Sequence, residues 1–212
     1  MKAIEISGFS AVGKSFLISS LYHNNADIVM IPEYYEYKES LTSSNKLCFI
    51  NNQVALIEKV LDSINTIDFE DDRCYIWDTG VFDILCYSYF YPKCFDQKKE
   101  SFYQIQETIL KKRGNTFVCN HLFALYANQK TLESRKKSDK KRSRSSFEQN
   151  NIIWEQMINK CQANDNLPAW IDILNVDTIS FDALQKTVLN KARNETDNGI
   201  YLQDVFRLFT NN

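Results

Sequence analysis

Five glycines and three prolines in 212 residues exclude a collagen-like, linker-rich or extensively disordered chain. The six cysteines include no CxxC pair, and a soluble domain of this size needs no disulfide staples, so metal and redox roles are disfavoured. Cys74, Cys86 and Cys119 lie in apolar runs, where a reduced thiol behaves as a small core residue. The only two histidines, His23 and His121, have no partner spacing for a metal site and read as helix-end and strand-core residues. No apolar run reaches transmembrane length, and the opening MKAIEISGFS is too short and polar for a signal peptide. The expectation is a cytoplasmic, reducing location with no membrane partner. Charge of one sign is lacking too. With 25 basic against 27 acidic residues, net charge gives no reason to invoke nucleic acid or an anionic surface.

What is present is an ordinary soluble composition, 44% hydrophobic and 25% charged. The length suits one domain, 1–212, with a substantial core. Residues 2–7 alternate apolar and polar and predict a strand; a glycine-bounded loop and an apolar helix over 15–22 follow. A short buried strand over 28–31 is stopped by Pro32. Leu47, Ile50, Val54, Ile57 and Leu61 recur at helical spacing within 46–64. Residues 74–77 read as a third strand, 81–90 as a very apolar helix, and 101–112 as a more polar one closed at Arg113-Gly114. A fourth strand lies within 116–126 and a fifth at 170–175. Helices are expected over 147–161, 181–193 and 202–209. Strands alternating with helices predict a parallel sheet covered on both faces. The basic run from Arg135 to Arg144 interrupts that alternation.

Residues 8–15 read GFSAVGKS, a full match to GxxxxGK[ST] between a predicted strand and a predicted helix. The chemistry explains the residue types. Gly8 and Gly13 allow the backbone to turn its N–H groups inward around phosphate oxygens. Phe9, Ser10, Ala11 and Val12 supply the rest of that cradle. The following helix presents unpaired N–H groups and a positive dipole end. Lys14 reaches the outer phosphates as a point charge, and the Ser15 hydroxyl is placed to bind Mg²⁺. The chain is therefore expected to bind a nucleoside triphosphate.

The stretch YIWDTGVFD, residues 75–83, then has to separate a switch from a catalyst. A guanine-nucleotide switch needs glycine three residues after the aspartate, where Val81 stands, and an NKxD loop that the chain lacks. A kinase reading fits better. Glu33 follows the second strand and Asp78 ends the third, at the strand ends where an open α/β sheet forms its ligand crevice. Asp78 suits a Mg²⁺-linked carboxylate, and either Glu33 or Asp78 suits the group that orients the acceptor oxygen or takes its proton. Glu36 is a rival to Glu33. Tyr34, Tyr35 and Tyr37 would either line a substrate pocket or pack on a helix. Arg135, Arg142 and Arg144 lie in LESRKKSDKKRSRSSFE, which suits a mobile arginine lid over 135–146 that closes on the transferring phosphoryl group and excludes water. By itself the run would equally suit a nucleic-acid patch or a solvated linker.

With these segments assembled, the sequence resembles the nucleoside and nucleotide kinases of the P-loop class, most closely thymidylate kinases and deoxyribonucleoside kinases. The resemblance rests on the phosphate loop, Pro32-Glu33, Asp78, the Leu132-x-x-Arg135 lead-in, Phe147-Glu148 at the exit of the lid, and Asn175-Val176-Asp177-Thr178. It implies a three-layer fold with five parallel strands in the order 2-3-1-4-5. It also implies ATP and Mg²⁺ as cofactors, and places Asp177 and Thr178 beside the adenine. The partner would be a small-molecule phosphate acceptor, a nucleotide or nucleoside. Helix 81–90 would be either core or part of a homodimer face. The departures are Thr79, where thymidylate kinases carry arginine, Tyr34-Tyr35 in place of a glycine pair, Asp83 where serine is common, and no ERS signature. They leave a non-nucleotide small-molecule kinase, or a P-loop ATPase or regulator, as alternatives.

Overall fold

The computed structural model describes residues 2–31, 46–67, 72–91, 98–139, 147–163, 167–194 and 199–210. Glu33, Arg142 and Arg144, along with Tyr34, Tyr35, Glu36, Tyr37 and Cys94, lie outside these described residues. The elements run β1 (Lys2–Gly8), α1 (Lys14–Asn24), β2 (Ile28–Ile31), α2 (Lys46–Asn65), β3 (Cys74–Asp78), α3 (Val81–Phe90) and α4 (Lys98–Arg113). They continue with β4 (Phe117–Cys119), β5 (His121–Tyr126), α5 (Gln129–Ser138), α6 (Phe147–Gln162), β6 (Ile171–Asn175), α7 (Phe181–Asn194), β7 (Ile200–Tyr201) and α8 (Leu202–Thr210).

Five strands form one parallel sheet in the order β2-β3-β1-β5-β6. Counted within the sheet this is the expected 2-3-1-4-5 arrangement. The labels shift because the apolar run at 116–126 is broken at Asn120. Its first part, β4, leaves the sheet and pairs antiparallel with β7. Asn120 anchors the break: its N–H donates to the Ala3 carbonyl at 2.7 Å and its Oδ1 accepts from the Ala3 N–H at 2.8 Å.

Right-handed crossovers fix the layers. The step from β1 leftward to β2 sends α1 to one face. The rightward steps from β2, β3 and β5 send α2, α3, α4 and α6 to the other. The packing agrees: α1 lies beside α7, while α3 is surrounded by α2, α4, α6 and α8. Helix α3 is therefore internal core, and Val81, Phe82, Leu85 and Cys86 are buried. Phe82 meets Trp154 of α6 and Phe209 of α8, with ring centroids 5.9 and 5.5 Å apart. Each such apolar side chain contributes about 1.5–3 kcal/mol by leaving water.

The central strand departs from a simple reading of its pattern. Alternation in β1 suggests one wet face, yet Ala3 to Gly8 are all buried. The polar positions are occupied internally. Glu5 points its carboxylate at the start of α3, where Oε2 accepts from the Phe82 N–H at 3.1 Å and Oε1 from the Asp83 N–H at 3.0 Å. The Ser7 hydroxyl donates to Oε1 at 2.7 Å. A buried carboxylate thus satisfies helix N–H groups that would otherwise lack partners. Burial pushes the Glu5 carboxyl above its usual range, against the pull of those hydrogen bonds.

Cys74, Cys86 and Cys119 are buried core residues as expected, and burial pushes the Cys74 thiol up to about 12. His23 lies in the last turn of α1 and His121 is fully buried in β5, with Nε2 3.0 Å from Asp172 Oδ2. Among the described residues no cluster of His, Cys, Asp or Glu could hold a metal by itself, and no helix is long and apolar enough to cross a membrane.

Candidate active site

Parallel strands place their carboxyl ends on one edge, so the segments after β1, β3, β5 and β6 converge. The register sets the neighbours: Ile6 pairs with Asp78, Gly8 with Leu125, and Tyr126 with Asn175.

The loop expected to cradle phosphate, Gly8 to Gly13 and referred to as the phosphate loop, leaves the middle of this edge. Gly8 has φ +136°, and a side chain there would collide with the Leu125 carbonyl, so glycine is required on two counts. Gly13 precedes α1 in the left-handed region at φ +108°. Ala11 shares that region at φ +65°, without being glycine. Phe9 N–H donates to Leu125 O at 3.1 Å and Val12 N–H to Phe9 O at 3.3 Å, which fixes the curl of the loop. Lys14 folds back over it, donating from Nζ to the carbonyls of Gly8 at 2.8 Å and Phe9 at 3.2 Å. The ammonium is thereby held over the concavity where the loop's N–H groups would meet phosphate.

Ser15 Oγ donates to Asp78 Oδ2 at 2.6 Å, and Asp78 is buried. A hydroxyl and a carboxylate oxygen in contact beside a lysine are the hard oxygen donors that suit Mg²⁺. The residues present therefore fit a Mg²⁺–triphosphate. The next residue, Thr79, has φ +71°, which is uncommon for a β-branched side chain and costs on the order of 1 kcal/mol or more. Strain of this kind, directly after the site carboxylate, marks the chain reversal that carries β3 into α3.

Arg135 lies in the last turn of α5, a helix that the dense charge concealed in the sequence. Its guanidinium donates to the Val12 carbonyl, which brings the first of the three predicted arginines to the phosphate loop. The side chain also passes close to Gly13. Asp177 is bonded to the start of the segment that leads into α5. Its Oδ2 accepts from the Asn128 N–H at 2.6 Å and from Asn128 Nδ2 at 2.7 Å, while Asn128 Oδ1 caps α5 through the Thr131 N–H at 2.9 Å. Thr178 turns back on Asn175, with N–H and Oγ1 both donating to its carbonyl. The segment after β6 is thus tied to the segment after β5.

The structure brings together Gly8, Phe9, Ser10, Ala11, Val12, Gly13, Lys14, Ser15, Asp78 and Arg135. It also adds residues that the sequence reading missed. Asn151, in the first turns of α6, accepts the Ser10 N–H through Oδ1 at 2.8 Å, and Asn150 Nδ2 lies 3.4 Å from Ser10 Oγ. Helices α5 and α6 both therefore hold the phosphate loop. The only signal was an Asn-Asn pair soon after Phe147-Glu148, which has no meaning until α6 is docked. Asp83, at the serine-like position, accepts from Trp154 Nε1 at 3.0 Å and so joins α3 to α6.

No protein-family model and no curated protein matches the sequence. Solved structures do match the fold. A thymidylate kinase from Candida albicans is 16% identical with a TM-score of 0.61, covering 94% of this chain and 97% of its own. A deoxyadenosine kinase from M. mycoides with bound dATP is 17% identical with a TM-score of 0.60, covering 89% and 98%. The same enzyme with dCMP and dCDP is 15% identical with a TM-score of 0.59. The chain has the three-layer fold of these nucleotide and nucleoside kinases across nearly its whole length.

Proposed function

We propose that the protein is an ATP- and Mg²⁺-dependent phosphotransferase that moves the γ-phosphate to a small acceptor, a nucleotide or a nucleoside. The observation that carries this reading is the meeting of Lys14, Ser15 and Asp78 at one phosphate loop, with Arg135 anchored on the same loop.

In this reading the loop N–H groups and the α1 N-terminus bind the donor phosphates, and Lys14 exchanges its carbonyl partners for the outer phosphate oxygens. Ser15 and Asp78 would hold Mg²⁺, which when bound neutralises charge that develops on the transferring group. Asp78, or Glu33 just beyond β2, orients the acceptor hydroxyl or phosphate oxygen and takes up any proton it releases. Arg135, with Arg142 and Arg144, serves as the arginine lid over 135–146, stabilising the equatorial oxygens and keeping water out. Asp177 and Thr178 border the donor base. The kinase fold of the solved structures supports the same assignment.

The test is ADP release from ATP and Mg²⁺ with a panel of nucleosides, nucleoside monophosphates and unrelated hydroxyl metabolites. Release only with a nucleoside or nucleotide, abolished by Lys14→Ala, is expected. Release with an unrelated metabolite alone would move the acceptor class. Acceptor-independent hydrolysis, or transfer that survives Lys14→Ala, would overturn the reading.

A further inference from the structure

Two phenylalanines sit where the core cannot use them. Phe16 follows Ser15 on α1 and is 69% exposed, while the core-facing residues of that helix are Leu17, Ile18 and Leu21. Phe181 opens α7 and is 37% exposed, and the buried face of α7 is Leu184, Val188 and Ala192. The two rings lie against each other, with centroids 5.0 Å apart and planes tilted by 41°.

The helices that carry the pair are locked together. Gln185 Nε2 donates to Ser20 Oγ at 2.8 Å across α1 and α7. Further along, Arg193 binds Asp27 through Nε and a terminal nitrogen at 2.9 and 3.0 Å, and Asn25 at 3.0 Å. Phe16 and Phe181 thus form a fixed aromatic pair at the N-terminal ends of both helices. A rise of about 1.5 Å per residue keeps Phe16 within about 3 Å, along the axis, of Lys14. On its other flank the pair adjoins the segment 175–180, which Asp177 ties to Asn128.

A phosphate chain seated on the loop meets the N-terminal end of α1, so the group it carries comes within reach of this pair. An exposed aromatic pair at that place matches one chemistry, the flat heteroaromatic face of a base, which stacks on aromatic rings with little regard for its hydrogen-bonding edge. We propose that Phe16 and Phe181 form a stacking platform for the base of the phosphate donor. The proposal rests on the phosphate-loop reading given above and assigns to it the residues that recognise the donor beyond its phosphates.

The experiment compares binding of ATP and of inorganic tripolyphosphate, each with Mg²⁺, by titration calorimetry. Wild type is expected to prefer ATP. Phe16→Ala and Phe181→Ala should weaken ATP at least about fivefold and leave tripolyphosphate unchanged. Phe16→Trp, which keeps an aromatic face, should restore ATP affinity. An equal loss for both ligands would show that the ring supports the loop and would overturn the platform. So would unchanged ATP affinity, including the case in which Phe16→Ala instead abolishes self-association of the wild-type chain. Wild type that binds neither ligand would overturn the phosphate-loop reading and the platform with it.

Discussion

The Ser15 hydroxyl donates a 2.6 Å hydrogen bond to the Asp78 carboxylate, joining the first helical turn after β1 to the last residue of β3. The contact spans 63 positions in sequence and exists because β1 and β3 are adjacent parallel strands with Ile6 opposite Asp78. If the two oxygens are the Mg²⁺ donors, Asp78→Asn and Ser15→Ala should each lower kcat for phosphoryl transfer at least about a hundredfold. Melting temperature should hold within a few degrees for Asp78→Asn, which is isosteric. Transfer rates across a Mg²⁺ titration check this; a mutant with wild-type kcat at saturating Mg²⁺ would refute the assignment.

Asn151 offers a separate handle on the loop. Asn151→Ala strips the Ser10 N–H of its acceptor and should cost about 1–2 kcal/mol in urea unfolding. Asn151→Asp keeps an acceptor but sets a negative charge beside the proposed phosphate site. It should retain most of the stability while weakening ATP roughly tenfold. Opposite ranking of the two variants in stability would show that Asn151 is not holding the loop.

Glu5 carries a pH signature whose sign follows from its burial. Its folded-state pKa is raised above the ordinary 4.5, so the native state retains the proton to higher pH than the unfolded chain. Stability from this group is therefore fully present below about that value and is lost as pH rises through the raised one. Glu5→Gln removes the titration. The stability of wild type minus that of Glu5→Gln should fall as pH increases from 4.5, measured by urea midpoints. Parallel curves would contradict it.

Gly8→Ala should be among the most damaging small changes. The new methyl meets the Leu125 backbone, and φ +136° is a conformation that side chains resist. A loss of about 3 kcal/mol or more is expected, because neither strand can move without breaking the β1–β5 pairing. An unfolding midpoint near wild type would show that the loop relaxes instead.

Much of the fold was legible because local pattern and global position agree. The helix over 81–90 was read at its observed limits, since its apolar residues are enclosed by four helices and its one charged residue, Asp83, is bonded inward to Trp154. The helix carrying Arg135 was not legible. Gln129–Ser138 buries only Leu132, so it lacks an apolar stripe, and its start depends on Asn128 as cap. Alternation in β1 was read correctly as strand, but its polar face is buried, because α3 offers Glu5 the N–H groups that water would otherwise supply.

The candidate site divides in the same way. The sequence alone determined the conformation of the glycine-bounded loop, since GFSAVGKS encodes a backbone curl and a helix start within eight residues, and local conformation follows local residue type. It also determined the parallel α/β class, through alternating strand and helix periods. Only the tertiary structure decided which distant groups meet that loop: Asp78 at Ser15, Arg135 at Val12, Asn151 at Ser10, and Phe181 at Phe16. Those meetings depend on strand order and helix docking. They are set by burial of the apolar faces across the whole chain, which no short stretch of residues specifies.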